Sequence, residues 1–301
     1  MKILIAGLVK NIQLVRLSEE GKRRGYLVEG CYASDLVIDC DKDSFNPHLV
    51  DGRKLEEYDL IYSMIGSKRR WEWYTVFSFL NEKCGTTIIN EKTIAKDYNY
   101  FLSPALDYLR QTQNDLPYPK SAIVFNEKGA REAVKSFIYP LIVKPSAGRQ
   151  GRGVFLCKSF EDVLLAIEEI HKGGVEAVVI REFIPNDGDL RIFTVGYKAI
   201  GAMKRSPTKE GEFRSNISLG GRGEKFDLEN YPEIKSIAEK AAEVMKTEIA
   251  GVDIIIHKET SKPYILEINP SPQFEGFEKY TGINVAEKII EYFEERRNQN
   301  R

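Results

Sequence analysis

The 301-residue chain is poor in soft metal ligands. It has three histidines (His48, His171 and His257) and no H-x-x-x-H pair, which sets histidine-based zinc hydrolysis aside. Its four cysteines, Cys31, Cys40, Cys84 and Cys157, are scattered without C-x-x-C spacing. Neither a zinc ribbon nor a disulfide framework is expected, and the thiols read as idle groups in a reducing compartment. No apolar run approaches about 18 residues, and the apolar start MKILIAGLV has no cleavage region, so a cytoplasmic location without a membrane partner is expected. An excess of one charge is also missing: 44 Lys and Arg oppose 45 Asp and Glu, which argues against bulk nucleic acid as a partner. Two phosphate-binding fingerprints are absent as well. Gly7 is followed by Leu8, Val9 and Lys10 rather than by a G-x-G-x-x-G run, and no G-K-[ST] turn occurs.

What is present is a soluble, enzyme-sized chain with 42% hydrophobic residues, long enough for two domains or three lobes. Lys2–Ala6 reads as a buried strand, Leu14 to Arg24 as a helix stopped by Gly25, and Leu36–Ile38 and Leu60–Met64 as strands. Trp73, Phe77 and Leu80 recur at helical spacing before Gly85, and Thr86–Ile89 reads as a strand, so the first 90 residues form an alternating α/β unit. Asn90 to Leu116 reads as largely helical and ends at Pro117-Tyr118-Pro119. Strands are then expected at Ser121–Phe125, Leu141–Lys144, Val154–Cys157, Val178–Arg181, Leu190–Gly196, Lys198–Met203, Val252–Ile256 and Tyr264–Ile268. Helices are expected at Phe160–Ile170 behind the N-cap Ser159, from Pro232 through Met245, and around Val285, Ile289 and Phe293.

Three stretches carry chemistry. In Leu141-Ile142-Val143-Lys144-Pro145-Ser146-Ala147-Gly148-Arg149-Gln150-Gly151-Arg152-Gly153, an apolar strand delivers a lysine into a glycine-rich turn with two arginines and no acid. Such a turn lets backbone N–H groups approach an anion, although an ordinary basic hairpin has the same pattern. Asp253 and Glu267 lie on two strands joined by the short connection His257–Lys262, and Asn269 shares a face with Glu267. A register pairing Asp253 with Glu267 puts their β-carbons about 5 Å apart, a repulsive arrangement unless a cation sits between them. Two carboxylates and an amide carbonyl suit Mg²⁺, and a solvent-facing acid pair on an edge hairpin is the alternative. Lys198 to Lys225 holds seven basic residues against three glutamates, as either a polyphosphate pocket or a solvated basic loop.

In this order the stretches YPLIVKPSAGRQGRGV, VIREFIPNDGDLRIFTVG, AIGAMKR, EFRSNISLGG, GVDIII and YILEINPSPQFEGFEKYTGINVAEKI resemble the ATP-grasp superfamily, and within it the RimK-like carboxylate–amine ligases. The resemblance spans about Asn90 to Phe293 and more weakly the first domain. It implies a mixed α/β and α+β architecture: an ATP-grasp fold behind an N-terminal Rossmann-like domain, divided at 1–90, 91–177 and 178–301. By position in the motifs, Lys144 resembles the strand lysine that contacts ATP phosphates, and Gly148, Gly151 and Gly153 belong to the loop that closes over them. Glu182, Phe183 and Ile184 resemble the strand that reads adenine, and Asp189 the ribose-binding acid. Arg205, Arg214 and Asn216 match positions near the phosphates and reacting acyl group, with Arg205 and Arg214 as the catalytic cations. Asp253, Glu267 and Asn269 match the metal ligands, and Lys96 stands in, from a shifted position, for a second phosphate-contacting lysine.

The implied reaction is ATP-dependent, ADP-forming amide synthesis through an acylphosphate, with ATP as substrate and two Mg²⁺ ions, or Mn²⁺, as cofactor. The implied partners are an amino acid such as glutamate and a carboxylate-bearing acceptor: a peptide, protein tail, coenzyme or carrier protein. A homo-oligomer is expected. A kinase on the same scaffold and a non-catalytic nucleotide sensor are the rival readings.

Overall fold

The computed structural model describes residues 1–66, 69–95, 104–146, 153–208 and 221–299. The first unit runs β1 (Lys2–Ala6), α1 (Ile12–Arg23), β2 (Leu27–Cys31), β3 (Leu36–Cys40), β4 (Phe45–Leu49), β5 (Leu60–Ser63), α2 (Arg70–Cys84) and β6 (Thr87–Ile89). Its sheet is parallel, in the order β2-β1-β5-β6. A parallel sheet is buried on both faces, so both need a cover. Trp73, Val76, Phe77 and Leu80 of α2 cover one face, packing with Leu4, Ala6 and Ile61. The other face, Ile3, Ile5 and Tyr62, packs with Leu17 of α1 and with Ile289, Ile290 and Phe293 of the C-terminal helix. The N-terminal unit therefore shares a core with the far end of the chain. The antiparallel pair β3–β4 escaped the sequence reading in part, because Phe45–Leu49 has Asn46 and Pro47 where a strand pattern would alternate.

The second unit contains α3 (Pro104–Gln113), β7 (Ser121–Val124), α4 (Glu127–Val134), β8 (Leu141–Pro145), β9 (Phe155–Cys157), α5 (Phe160–Lys172) and β10 (Val178–Glu182). Its antiparallel sheet has the order β7-β10-β8-β9. Val178–Glu182, just past the expected 177/178 division, pairs with both β7 and β8, and its Val178, Val179 and Ile180 are fully buried in that sheet. Helices α4 and α5 cover the face bearing Leu141, Val143, Val178 and Ile180. Ser159 caps α5 as expected, in a reciprocal capping box with Asp162.

The third unit contains β11 (Asp189–Val195), β12 (Lys198–Ser206), β13 (Arg222–Phe226), α6 (Pro232–Val244), β14 (Ile249–Ile256), β15 (Pro263–Asn269), α7 (Glu275–Thr281) and α8 (Val285–Gln299). Its antiparallel sheet runs β13-β12-β11-β14-β15. Helix α6 packs against one face through Leu190, Ile192, Val252, Ile254 and Ile268. Part of the stretch read as a basic loop is strand here: Arg222 and Lys225 lie on β13, paired with β12. One buried arginine joins the second and third units. Arg181 donates from Nη2 to the Tyr108 hydroxyl (2.7 Å), from Nε to Ser121 Oγ (3.2 Å) and from Nη1 to the Leu266 carbonyl (3.3 Å).

Candidate active site

Strand alternation puts the polar residues of the five-stranded sheet on the face opposite α6. Asp253 pairs directly with Glu267 across β14–β15, as the sequence reading expected, and Gly251 pairs with Asn269. Across β11–β14, Arg191 pairs with Asp253, and across β11–β12, Asp189 pairs with Arg205. One cross-sheet row thus carries Arg191, Asp253 and Glu267, and the next carries Asp189 and Arg205.

Burial separates the two acids. Asp253 is 5% exposed, whereas Glu267 is solvent-exposed. The sequence reading invoked a cation to relieve their repulsion; the structure supplies two guanidinium groups on the far side of Asp253. Arg191 binds both Asp253 oxygens through Nε and Nη2, and Arg205 Nη2 lies 2.9 Å from Oδ2. Arg205 also donates from Nε to Asp189 Oδ1 at 2.5 Å. Burial alone would raise the Asp253 pKa, but Arg191 and then Arg205 hold it below the usual carboxylate range. Burial likewise opposes the Arg205 charge, and Asp253 and Asp189 outweigh it. Arg191 was missed by the sequence reading. The available signal was its place two residues after Asp189 on the same strand face. Gly251 gives it room, since a Cβ there would come within 2.9 Å of Arg191 Cδ and of Pro272 Cβ.

Lys144 of β8 approaches this row from the other sheet. It projects from the face opposite α4 and α5, and its amine feels Arg181, Glu267 and Asp107. Burial, reinforced by Arg181, lowers its pKa to about 7 against the upward pull of Glu267 and Asp107. Asp107 on α3 has a buried Oδ1 with no hydrogen-bond partner among the described residues, and its pKa is raised to about 7 by burial and then by Glu267. No motif had marked it. At pH 8 the Lys144 amine is therefore mostly uncharged without ligand, and a polyphosphate beside it restores the proton. ADP binding at pH 8 is expected to take up on the order of one proton, read by calorimetry in two buffers of different ionisation enthalpy. Lys144→Met should abolish the uptake; uptake persisting in that variant would assign the proton to another group.

The remaining expected residues divide into two groups. Glu182 ends β10, with its N–H donating to the Lys120 carbonyl and its carboxylate accepting from the Lys120 N–H. Phe183 and buried Ile184 follow in the connection to Asp189. Gly153 has φ +71, a left-handed conformation that suits glycine, just before β9. Lys96, Gly148, Gly151, Arg214 and Asn216 lie outside the described residues.

Two sheets thus meet, one presenting a lysine and the other a row of acids and guanidiniums. Residues 105–293 match the RimK-like ATP-grasp domain model. Over 93% of this chain and 91% of its own length, a probable alpha-L-glutamate ligase of Legionella pneumophila is 31% identical. A protein of the same name from Vibrio atlanticus is 33% identical over 100% of this chain and 97% of its own. The solved ATP-grasp ligase PsnB, complexed with Mg, ADP and a variant of its minimal precursor, superposes with a TM-score of 0.74 at 17% identity, covering 98% of both chains. The chain belongs to the RimK-like ATP-grasp family. It is an ATP-dependent carboxylate–amine ligase. No helix among the described residues is long and apolar enough to cross a membrane.

Proposed function

We propose that the enzyme joins an amino acid, with glutamate as the first candidate, to the carboxylate of a peptide, protein, coenzyme or carrier acceptor. The observation that carries this reading is the meeting of Lys144 with the Arg191–Asp253–Glu267 row, which serves a triphosphate and its cation together. The names of the full-length relatives favour glutamate over other amino acids.

The donors present fit Mg²⁺. Among the described residues no three His, Cys, Asp or Glu side chains converge on one point, and the amide oxygen of Asn269 adds a hard donor to the two carboxylates. Glu267 is exposed, and Asn269 Oδ1 accepts one hydrogen bond, from the Ser271 N–H at 2.9 Å, which leaves it a second lone pair. Asp253 brings a carboxylate already oriented by two guanidiniums. Glu267, Asn269 and Asp253 would hold the ion, with Mn²⁺ as an alternative. When bound, it supplies neutralising charge to the phosphate oxygens.

In this reading an acceptor carboxylate oxygen attacks the γ-phosphorus of ATP, the bond to the β,γ-bridging oxygen breaks, and ADP leaves. The amine nitrogen then attacks the acyl carbon, the bond to phosphate breaks, and the amine proton passes to water. Lys144 holds phosphate oxygens. Arg205, fixed by Asp189 and Asp253 through Nε and Nη2, brings an oriented guanidinium charge to a developing oxyanion. Catalysis is then mainly positioning and electrostatics. ADP and phosphate should form only when amino acid and acceptor are both present, with the acceptor in cell extract identified by its mass shift. A stable phosphoester product would select a kinase instead, and nucleotide binding without turnover a sensor.

A further inference from the structure

The loop that follows β15 reads Asn269-Pro270-Ser271-Pro272. Its two prolines have no N–H, so it cannot close a backbone ladder of its own, and its carbonyls must find donors elsewhere. Both donors come from the N-terminal unit. Gln13, on the first turn of α1 and 2% exposed, donates from Nε2 to the Pro272 carbonyl at 3.0 Å. Asn90, fully buried at the end of the first sheet, donates from Nδ2 to the Pro270 carbonyl at 3.0 Å. Asn90 is itself fixed from several sides. Its Nδ2 also reaches the Ile249 carbonyl (2.9 Å), its Oδ1 accepts from the Ile249 N–H (3.0 Å), and its own N–H donates to Glu248 Oε2 (2.8 Å). Its φ of +59 is a left-handed conformation that asparagine tolerates better than most residues. The two clamped carbonyls flank Ser271, whose N–H sets the Asn269 side chain by donating to Oδ1.

We infer that Gln13 and Asn90 are positioning residues for cation binding: the N-terminal unit clamps the two carbonyls around Ser271 and thereby aims Asn269 at the ion. This rests on Asn269 being a cation ligand, as proposed above. The clamp also explains why a domain without the Gly-rich dinucleotide fingerprint shares a core with the catalytic sheet: its contribution is to hold one edge of the site.

The test uses the full chain and measures ADP affinity by calorimetry in Mg²⁺ and again in EDTA. Gln13→Met keeps the volume and removes the donor. It should leave affinity in EDTA within about twofold of wild type and cut the Mg²⁺-dependent enhancement about fivefold, the worth of one hydrogen bond. Asn90→Gly keeps the backbone conformation and should cut it more; if it does not fold, Gln13→Met carries the test alone. A merely structural role would lower the melting temperature without touching the enhancement. Asn269→Ala is the reference. Loss of the enhancement in Asn269→Ala with wild-type enhancement in Gln13→Met overturns the positioning role alone. Retention of the enhancement in Asn269→Ala removes the ligand assignment, and the inference with it.

Discussion

Glu267→Gln is expected to lower Mg²⁺-dependent ADP release on the order of 10³-fold while moving the melting temperature by no more than about 2 °C. The separation of the two effects follows from exposure. Glu267 is exposed at the end of the acidic row, so replacing it by the isosteric amide removes charge from the site while keeping the packing of β15. A second readout comes from its neighbours. Glu267 raises the pKa of both Lys144 and Asp107, so the glutamine variant should shift the proton uptake on ADP binding to lower pH. Wild-type turnover in this variant would remove Glu267 from the ligand set.

Arg205→Met should behave in the opposite way, losing both turnover and about 3–5 kcal/mol of stability, the cost of stripping a partner from buried carboxylates. For a chain of this size that lowers the melting temperature by on the order of 10 °C. Arg205 is 6% exposed and bridges Asp189 and Asp253 through two different nitrogens. Arg205→Lys should recover only a part, because an ammonium is a point donor without the fork that reaches both carboxylates. In the double variant Asp189→Asn/Arg205→Met, about 1–3 kcal/mol of the loss should return; strictly additive losses would show that the pair does not interact. The acid limb carries the same information. The Asp253 pKa is depressed in the folded protein, so its contribution is complete at neutral pH and is lost as pH falls below about 4. Removing Arg205 relaxes the depression, so the part of the acid loss that Asp253 carries should become smaller and be complete at a higher pH.

The strands bearing Lys144, Asp253 and Glu267 were legible because each is an apolar run interrupted by one or two charges. The facing register of Asp253 and Glu267 was legible because the connection between their strands is short. β13 was not, since Arg222–Phe226 reads as polar and becomes a strand only by pairing with β12. α7 was missed because it is seven residues long and its buried Phe277 and Thr281 make too short a periodic pattern. The placement of Val178–Glu182 in the second sheet was hidden because a wholly apolar strand carries no mark of which partners it takes.

By itself the sequence determined the family, the order of the units, and which residue types could meet a triphosphate and a cation, because those properties reside in motifs and in alternation along single strands. Only the tertiary structure decided that Arg191 and Arg205 neutralise Asp253 while Glu267 stays open, that Asp107 enters the surroundings of Lys144, and that Gln13 and Asn90 reach the loop after Asn269. Those contacts join residues up to 259 positions apart. Burial, and the pairing of charges that burial enforces, are properties of packed surfaces, and no local stretch of chain encodes them.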